Sequence, residues 1–341
     1  MKNITAFAVL VIILACTLPA GELETGDSPF GDYRRSNTYS PLNATTNPYA
    51  LSAAPLFGVF YGQAEEIVYP ADTMAKLLSQ LLWDMKPLWY YGAALDLSQI
   101  NPAERWGVFS TLSLRFGIPG MTGVMEDRDW MSIQDDALTH YSIHDNRTRS
   151  LFWMDFSAGF SIPLRSIFLL KAYAHVSYMS FAFSGQDGHG KRALEIGDHI
   201  YDMSNFEIYT FSGKVINYTQ DWLIAAPGIA FACHYRKFFS ADIFFTISPL
   251  ILCGDMDEHL TTGAQFRDYM QGGLFLEPGA HVSFDINEWL GVSLKFAWRY
   301  IGGTQGDTYK KPYGTGYYQL IGRAGAGLSV MDAELLFKVR L

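Results

Sequence analysis

The stretch "LGVSLKFAWRY" alternates at every residue. Leu290, Val292, Leu294, Phe296, Trp298 and Tyr300 fall on one side of an extended chain, and Gly291, Ser293, Lys295, Ala297 and Arg299 fall on the other. Successive side chains of a β-strand point to opposite faces, so this pattern predicts a strand with one apolar and one polar face. Two cations on the inner side of a dry sandwich core would be costly. A wet lumen outlined by lipid accommodates them, and an apolar outside with a polar inside is the sequence mark of a transmembrane β-barrel.

The same period recurs along the chain. In "LFWMDFSAGF" Phe152, Met154 and Phe156 oppose Trp153, Asp155 and Ser157, and in "HVSFDI" Val282, Phe284 and Ile286 oppose His281, Ser283 and Asp285. At the end of the chain Ala333, Leu335, Phe337, Val339 and Leu341 alternate with Asp332, Glu334, Leu336, Lys338 and Arg340. Short connections near 98–105, 162–166, 236–241 and 286–289 alternate with long ones near 70–80, 120–148, 185–216, 255–272 and 302–316. Four turns and five loops predict an all-β fold, a ten-stranded antiparallel transmembrane β-barrel with long outer loops and short periplasmic turns. The strands are expected to start at about 55, 82, 105, 149, 167, 218, 241, 273, 289 and 320.

Composition narrows the class. Aromatics make up 15% of the chain and charged residues 17%. No apolar run reaches the ~18 to 20 residues of a spanning helix, which excludes a helical membrane protein but not a barrel. Residues 1–20 read as an export signal, with an apolar run from Ala6 to Ala15 and a cut expected after Ala20. An overlapping reading is a lipobox ending in Cys16, whose cysteine would be lipidated. Residues 21–52 form a flexible lead-in, and 53–341 form the barrel domain. Cys233 and Cys253 lie in apolar stretches and are expected to be unpaired thiols. The net charge of −9 disfavours nucleic acid and points to cationic partners.

Two of the long connections concentrate acids. One holds Glu126, Asp127, Asp129, Asp135 and Asp136, the other Asp255, Asp257, Glu258 and His259. Both lie at the outer side of the predicted barrel, where they can face one another across its mouth. Either cluster alone is most simply a solvated loop. Together they support chemistry: Asp257 and His259, at i and i+2, point the same way, so the carboxylate can orient an imidazole. Asp127 and Asp129 have the same spacing, and close carboxylates resist sharing charge, so one holds a proton. A water between the pairs could lose a proton to His259 and attack an amide while the protonated acid donates to the oxyanion. Glu66 has the parity of Gly58, Gly62 and Ala64 and points inward. Neither HExxH nor GxSxG occurs, and no cofactor or metal is expected. His140, His144, His189 and His199 lie on outer loops without ligand spacing and read as solvated polar residues.

These residues resemble the omptin family, ten-stranded outer-membrane aspartyl-type proteases of Gram-negative bacteria. The likeness covers roughly residues 55–341. Its most specific pieces are "EDRDWM", similar to the family's Asp-x-Asp-Trp-Met, and "DMDEH", similar to its Asp-x-Asp-Glu-His; "KLLSQLLWDMK", "NYTQDW" and "AWRY" add support. The resemblance implies Asp127 with Asp129 and Asp257 with His259 as the catalytic pairs. It implies Glu66 and Asp255 as the carboxylates that bind the basic side chain before the cleaved bond, and cleavage after Arg or Lys. Glu258, of opposite parity, is a bystander.

The departures are as specific. In "LTHYSIHD" Thr139, Ser142 and His144 match the family signature, but His140 stands where an acid is expected and Asp145 replaces a Pro. "AHVSYMSFAF" lacks the Tyr-x-Glu-x-Arg run that grips lipopolysaccharide phosphates, and Asp221 stands in place of another phosphate-binding Arg. Lipopolysaccharide dependence is therefore not expected to carry over, although the barrel still contacts outer-membrane lipid. The resulting expectation is a monomeric outer-membrane endopeptidase, active site outward, acting on cationic peptides or exposed basic sites in proteins. The alternative is a barrel of the same fold that no longer cuts and serves as an adhesin or binding protein. A plain porin has no need of two facing acid clusters.

Overall fold

The computed structural model describes residues 49–70, 76–99, 106–132, 136–165, 167–235, 238–312 and 314–341. The export signal, Cys16 and the lead-in up to residue 48 lie outside them, as do Asp135 and most of the turn at 98–105. Every regular element among the described residues is a strand: β1 (Tyr49–Pro70), β2 (Ser79–Gln99), β3 (Gly107–Gly117), β4 (Gly120–Asp129), β5 (His140–Arg165), β6 (Phe168–Gly197), β7 (Ile200–Thr210), β8 (Lys214–Tyr235), β9 (Phe239–Ser248), β10 (Ile251–His259), β11 (Ala264–Gln271), β12 (Leu274–Asp285), β13 (Leu290–Gly302), β14 (Gln305–Lys311) and β15 (Gln319–Arg340).

All pairings are antiparallel, and the sheet closes where β1 meets β15, from Ser52 opposite Arg340 to Pro70 opposite Gly322. Closure leaves no open edge in the barrel wall, the condition for a sheet to sit in lipid. Short breaks divide β3 from β4, β9 from β10, β11 from β12 and β13 from β14, while each pair of halves continues along the same neighbouring strands. The pairing is thus compatible with the ten long strands the sequence predicts. β7 is an extra strand of the outer end, hydrogen-bonded to the top of β6.

These strands are longer than the membrane requires. A spanning strand needs about 9–11 residues, whereas β1 has 22 and β6 has 30. The surplus stands above the lipid. On the outer face of the turn half, Phe57, Trp89, Phe160, Ile243, Phe296 and Phe337 are exposed, with Trp106 and Trp289 at the turn rim; this is the apolar band and aromatic girdle of a membrane barrel. Further up the same strands the outward positions become polar: Glu65, Glu126, Arg128, Asn217, Glu258 and Arg267. One turn shows how the ends are made tight, with the Asn287 side-chain oxygen accepting the backbone N–H groups of Trp289 and Leu290 at 2.8 and 2.9 Å.

The lumen differs from the water-filled channel that alternation suggests. Arg115 bonds Glu334 at 2.5 Å and Asp155 at 3.1 Å, and Arg299 bonds Glu277 at 2.5 Å and Asp155 at 3.5 Å. The two guanidinium groups also lie 3.8 and 4.3 Å from the ring centroid of Trp153. All six side chains are buried. Buried charges are tolerated when each is paired and hydrogen-bonded by its neighbours, as these are, and together the side chains plug the membrane zone. Above the plug an aromatic layer, with Phe60 on Trp153 (5.0 Å), Trp83 on Phe183 (5.6 Å) and Trp83 flat against Tyr218 (5.1 Å, 4° between planes), forms the floor of the outer cavity. Cys233 and Cys253 are unpaired thiols.

Candidate active site

Glu126, Asp127 and Asp129 of one acid cluster, and Asp255, Asp257, Glu258 and His259 of the other, are carried by strands, not by the loops the sequence suggests; Asp136 lies beyond the end of β4. Asp127 on β4 lies between Leu81 of β2 and Ser142 of β5, and Asp129 between Ser79 and His140. On β10, Asp257 lies between Tyr218 of β8 and Phe266 of β11, and His259 between Ile216 and Ala264. Strand geometry above the lipid imposes the parity that sequence spacing predicts: both pairs point into the cavity. Glu258 points outward, where the amides of Asn217 and Gln265 donate to it at 3.1 and 3.2 Å. Directly after His259 the chain reverses, with the Gly263 N–H donating to the His259 carbonyl at 2.7 Å. Gly263 has φ +70°, a left-handed conformation that costs glycine nothing, and this fixes the histidine at the strand's last position.

Within the cavity His259 Nε2 donates to Asp257 Oδ2 at 2.7 Å. This leaves the other ring nitrogen free to accept a proton. Burial works against charge on His259, but the Asp257 carboxylate outweighs it, with help from Asp127 and Asp129, and the imidazole pKa is raised. Across the cavity Asp127 is held well above the usual carboxylate range by burial and then by the charge of Asp129, with His259 pulling the other way. Asp129 is also raised by burial, against a hydrogen bond from Ser79 and the pull of His140 and His259. The four groups therefore act on one another through a single low-dielectric space, one pair disposed to hold a proton and the other to take one.

Beneath them lies a carboxylate pocket. Glu66, Asp255 and Asp268 are buried, and one oxygen of each lies within 4.8 Å of the others. Their pKa values are all raised, by desolvation first and then by neighbouring carboxylates for Glu66 and Asp255; Asp268 is pushed up to about 7 by burial. The Tyr218 hydroxyl donates to Asp255 at 3.0 Å and receives the Gln220 amide at 2.9 Å, while Trp222 donates to the Gln220 carbonyl at 2.9 Å. Such an oxygen cluster can hold a small cation. Asp268 is the residue that sequence reading misses: the segment 255–272 reads as a loop, which hides its parity. Once β11 is recognised as a strand, Phe266, Asp268 and Met270 share the inward face, and Asp268 stands opposite Asp255.

Two of the four histidines expected to be solvated are not. His144 is buried, its Nδ1 donating to the Asp187 carbonyl at 2.6 Å and its Nε2 2.9 Å from the Ser142 hydroxyl, because β5 continues as strand and turns it inward. His140 is half-buried beside Asp129 and packs edge-on against Tyr201, and burial lowers its pKa. His189 and His199 are exposed. Thr139, also buried, accepts the Met131 N–H at 3.0 Å and donates to the Asp129 carbonyl at 2.9 Å, bracing the strand end that carries Asp129.

Comparison with known proteins places the chain. The model of the Omptin family matches residues 47–336. Among solved structures, the outer membrane protease OmpT from Escherichia coli is similar at a TM-score of 0.74 and 18% identity, covering 89% of this chain and 100% of that one. At that identity the likeness concerns the fold. The translocator domain of the autotransporter NalP from Neisseria meningitidis aligns over 87% of this chain and 90% of that one, at 10% identity and a TM-score of 0.33. No match is found among curated protein sequences.

Proposed function

The chain belongs to the omptin family, and from that premise we propose that it cleaves polypeptides after Arg or Lys, using a water activated between Asp127/Asp129 and Asp257/His259. It is a protease of the bacterial outer membrane. The observation that carries the finer reading is the joint electrostatic environment of the two pairs, with the His259–Asp257 hydrogen bond of 2.7 Å on one side and the burial-raised Asp127 on the other.

In this mechanism His259 takes a proton from the water, and Asp257 orients the ring and stabilises the imidazolium that forms. The water oxygen attacks the amide carbon. The proton held by the Asp127/Asp129 pair is shared with the carbonyl oxygen as negative charge develops there, a role that suits a carboxyl group kept neutral by burial. His259 then returns its proton to the leaving amine. General acid–base catalysis of this kind contributes about 10²–10⁴-fold. Glu66 and Asp255 receive the cationic side chain, since charge-assisted hydrogen bonds in a buried site stabilise a cation strongly when donors and acceptors are matched. The active site faces the exterior, above the apolar band, and substrates are cationic peptides or exposed basic segments of proteins; the chain acts as a monomer.

The test is hydrolysis of a fluorogenic Arg-Arg peptide by protein refolded in detergent, with and without added lipopolysaccharide. Wild type should cut in both conditions and His259→Ala should be inert. Equal inactivity of the two proteins in both conditions would leave the binding-protein alternative standing instead.

A further inference from the structure

Asp268 has no part in the mechanism above, yet its side chain is the least reconciled with burial of any in the outer cavity. It is fully buried; the Thr308 hydroxyl beside it draws its pKa down somewhat, yet neither carboxylate oxygen has a donor in full hydrogen-bond geometry. Glu66 Oε2 is likewise buried without a partner. Among the described residues no lysine or arginine forms an ion pair with Glu66, Asp255 or Asp268. Buried acceptors without donors are costly, and a pocket that keeps several of them aimed at one point is built for a ligand that brings donors.

The dimensions specify that ligand. Three oxygens no more than 4.8 Å apart place a cation at their centre within about 2.8 Å of each, the length of a charge-assisted N–H···O bond. A primary ammonium has three donors on one atom and matches three acceptors so arranged. A guanidinium spreads its donors over three nitrogens around the rim of a plane, so three separate acceptors cannot all converge on one donor atom. The pocket also lies at the right depth. Asp255 is two residues below Asp257 on the same face of β10, about 6–7 Å along the strand, and the four-carbon stem of a lysine spans roughly that length. Phe266, inward-facing on β11 one step above Asp268 and packed 5.2 Å from the His259 ring, offers an apolar wall for the methylenes.

We propose that Asp268 completes a three-carboxylate seat with Glu66 and Asp255 for the ammonium of a lysine preceding the cleaved bond, which makes this protease selective for Lys over Arg. The inference rests on the reading of the chain as an endopeptidase specific for basic residues, and it names a preference within that class and the residue that sets it.

The experiment compares kcat/KM for two peptides differing only in Lys or Arg before the scissile bond. Wild type should favour Lys, and Asp268→Asn should lower the Lys:Arg ratio at least tenfold. A wild-type preference for Arg, or a ratio unchanged by Asp268→Asn, overturns the proposal while leaving the basic-specific reading intact. Wild type cutting neither peptide, but cutting others, removes both. Should Asp268→Asn fail to fold, the wild type alone decides: Nε-methyl- and Nε,Nε-dimethyl-lysine keep the charge but remove donors, so kcat/KM should fall stepwise, and a flat series overturns the seat. Loss of activity in EDTA with recovery on adding calcium or magnesium would assign the three carboxylates to a divalent ion and equally overturn it.

Discussion

Asp257 and His259, two residues apart on β10, are joined by a 2.7 Å hydrogen bond in which only 4% of the aspartate side chain but 35% of the histidine side chain is accessible. The carboxylate is sealed behind the ring it orients, while the ring itself stays accessible. Because Asp257 raises the imidazole pKa above its ordinary 6.5, the neutral form needed for proton abstraction is gained only as pH rises through that higher value. The kcat/KM profile should therefore show an acid limb displaced to the alkaline side of an ordinary histidine. In Asp257→Asn burial remains and the stabilising charge is lost, so the limb should move to lower pH while the rate falls by about 10²-fold or more. A pH–rate profile of the two proteins checks this, and a limb that stays in place would show that another group titrates.

Tyr218 links the aromatic floor to the carboxylate pocket, its ring flat on Trp83 and its hydroxyl donating to Asp255 at 3.0 Å. Tyr218→Phe keeps the stack and removes the donor that holds one Asp255 oxygen in place. Loss of one hydrogen bond to a buried charged group costs about 1.5–3 kcal/mol. Steady-state kinetics on a basic peptide should show KM raised tenfold or more with kcat little altered. A collapse of kcat at unchanged KM would mean that Tyr218 serves the chemistry instead.

Arg299 is the hub of the plug, bonded to Glu277 and Asp155 and lying on Trp153, with 2% of its side chain accessible. Arg299→Ala removes the closest cation from Glu277, leaving it Lys295 at 3.6 Å, and leaves Asp155 to Arg115 at 3.1 Å; breaking this buried network should destabilise the barrel by about 3–5 kcal/mol. Urea unfolding in detergent, followed by the heat-dependent gel shift of folded barrels, measures the loss. Hydrolysis by the fraction that remains folded should be retained, because the plug lies below the aromatic floor. An unchanged unfolding midpoint would show that lumen water or detergent replaces the guanidinium.

Much of this protein can be read from one dimension. Period two in "LGVSLKFAWRY" and at the chain's end assigns inside and outside correctly: Ser293 and Arg299 are buried, and Phe296 and Phe337 are exposed. The spacings of Asp127 with Asp129 and Asp257 with His259 predict their common direction. Two features mislead. The acid-rich windows read as loops, because polar residues on the outer face abolish the apolar/polar contrast once strands rise above lipid. The lumen reads as wet, because single strands show charges but not their partners; Arg115 and Glu334 meet only across the closed barrel.

The sequence by itself determined which way the side chains of its clearly alternating segments face, because alternation along a strand is a local property of an extended chain of L-residues. Only the tertiary structure decided which inward groups share a space. Glu66 comes from the first strand, Asp255 and Asp268 from two later ones, and closure of β1 on β15 brings the three within reach of a single cation. That meeting depends on ring closure and inter-strand register, long-range quantities to which no local pattern responds.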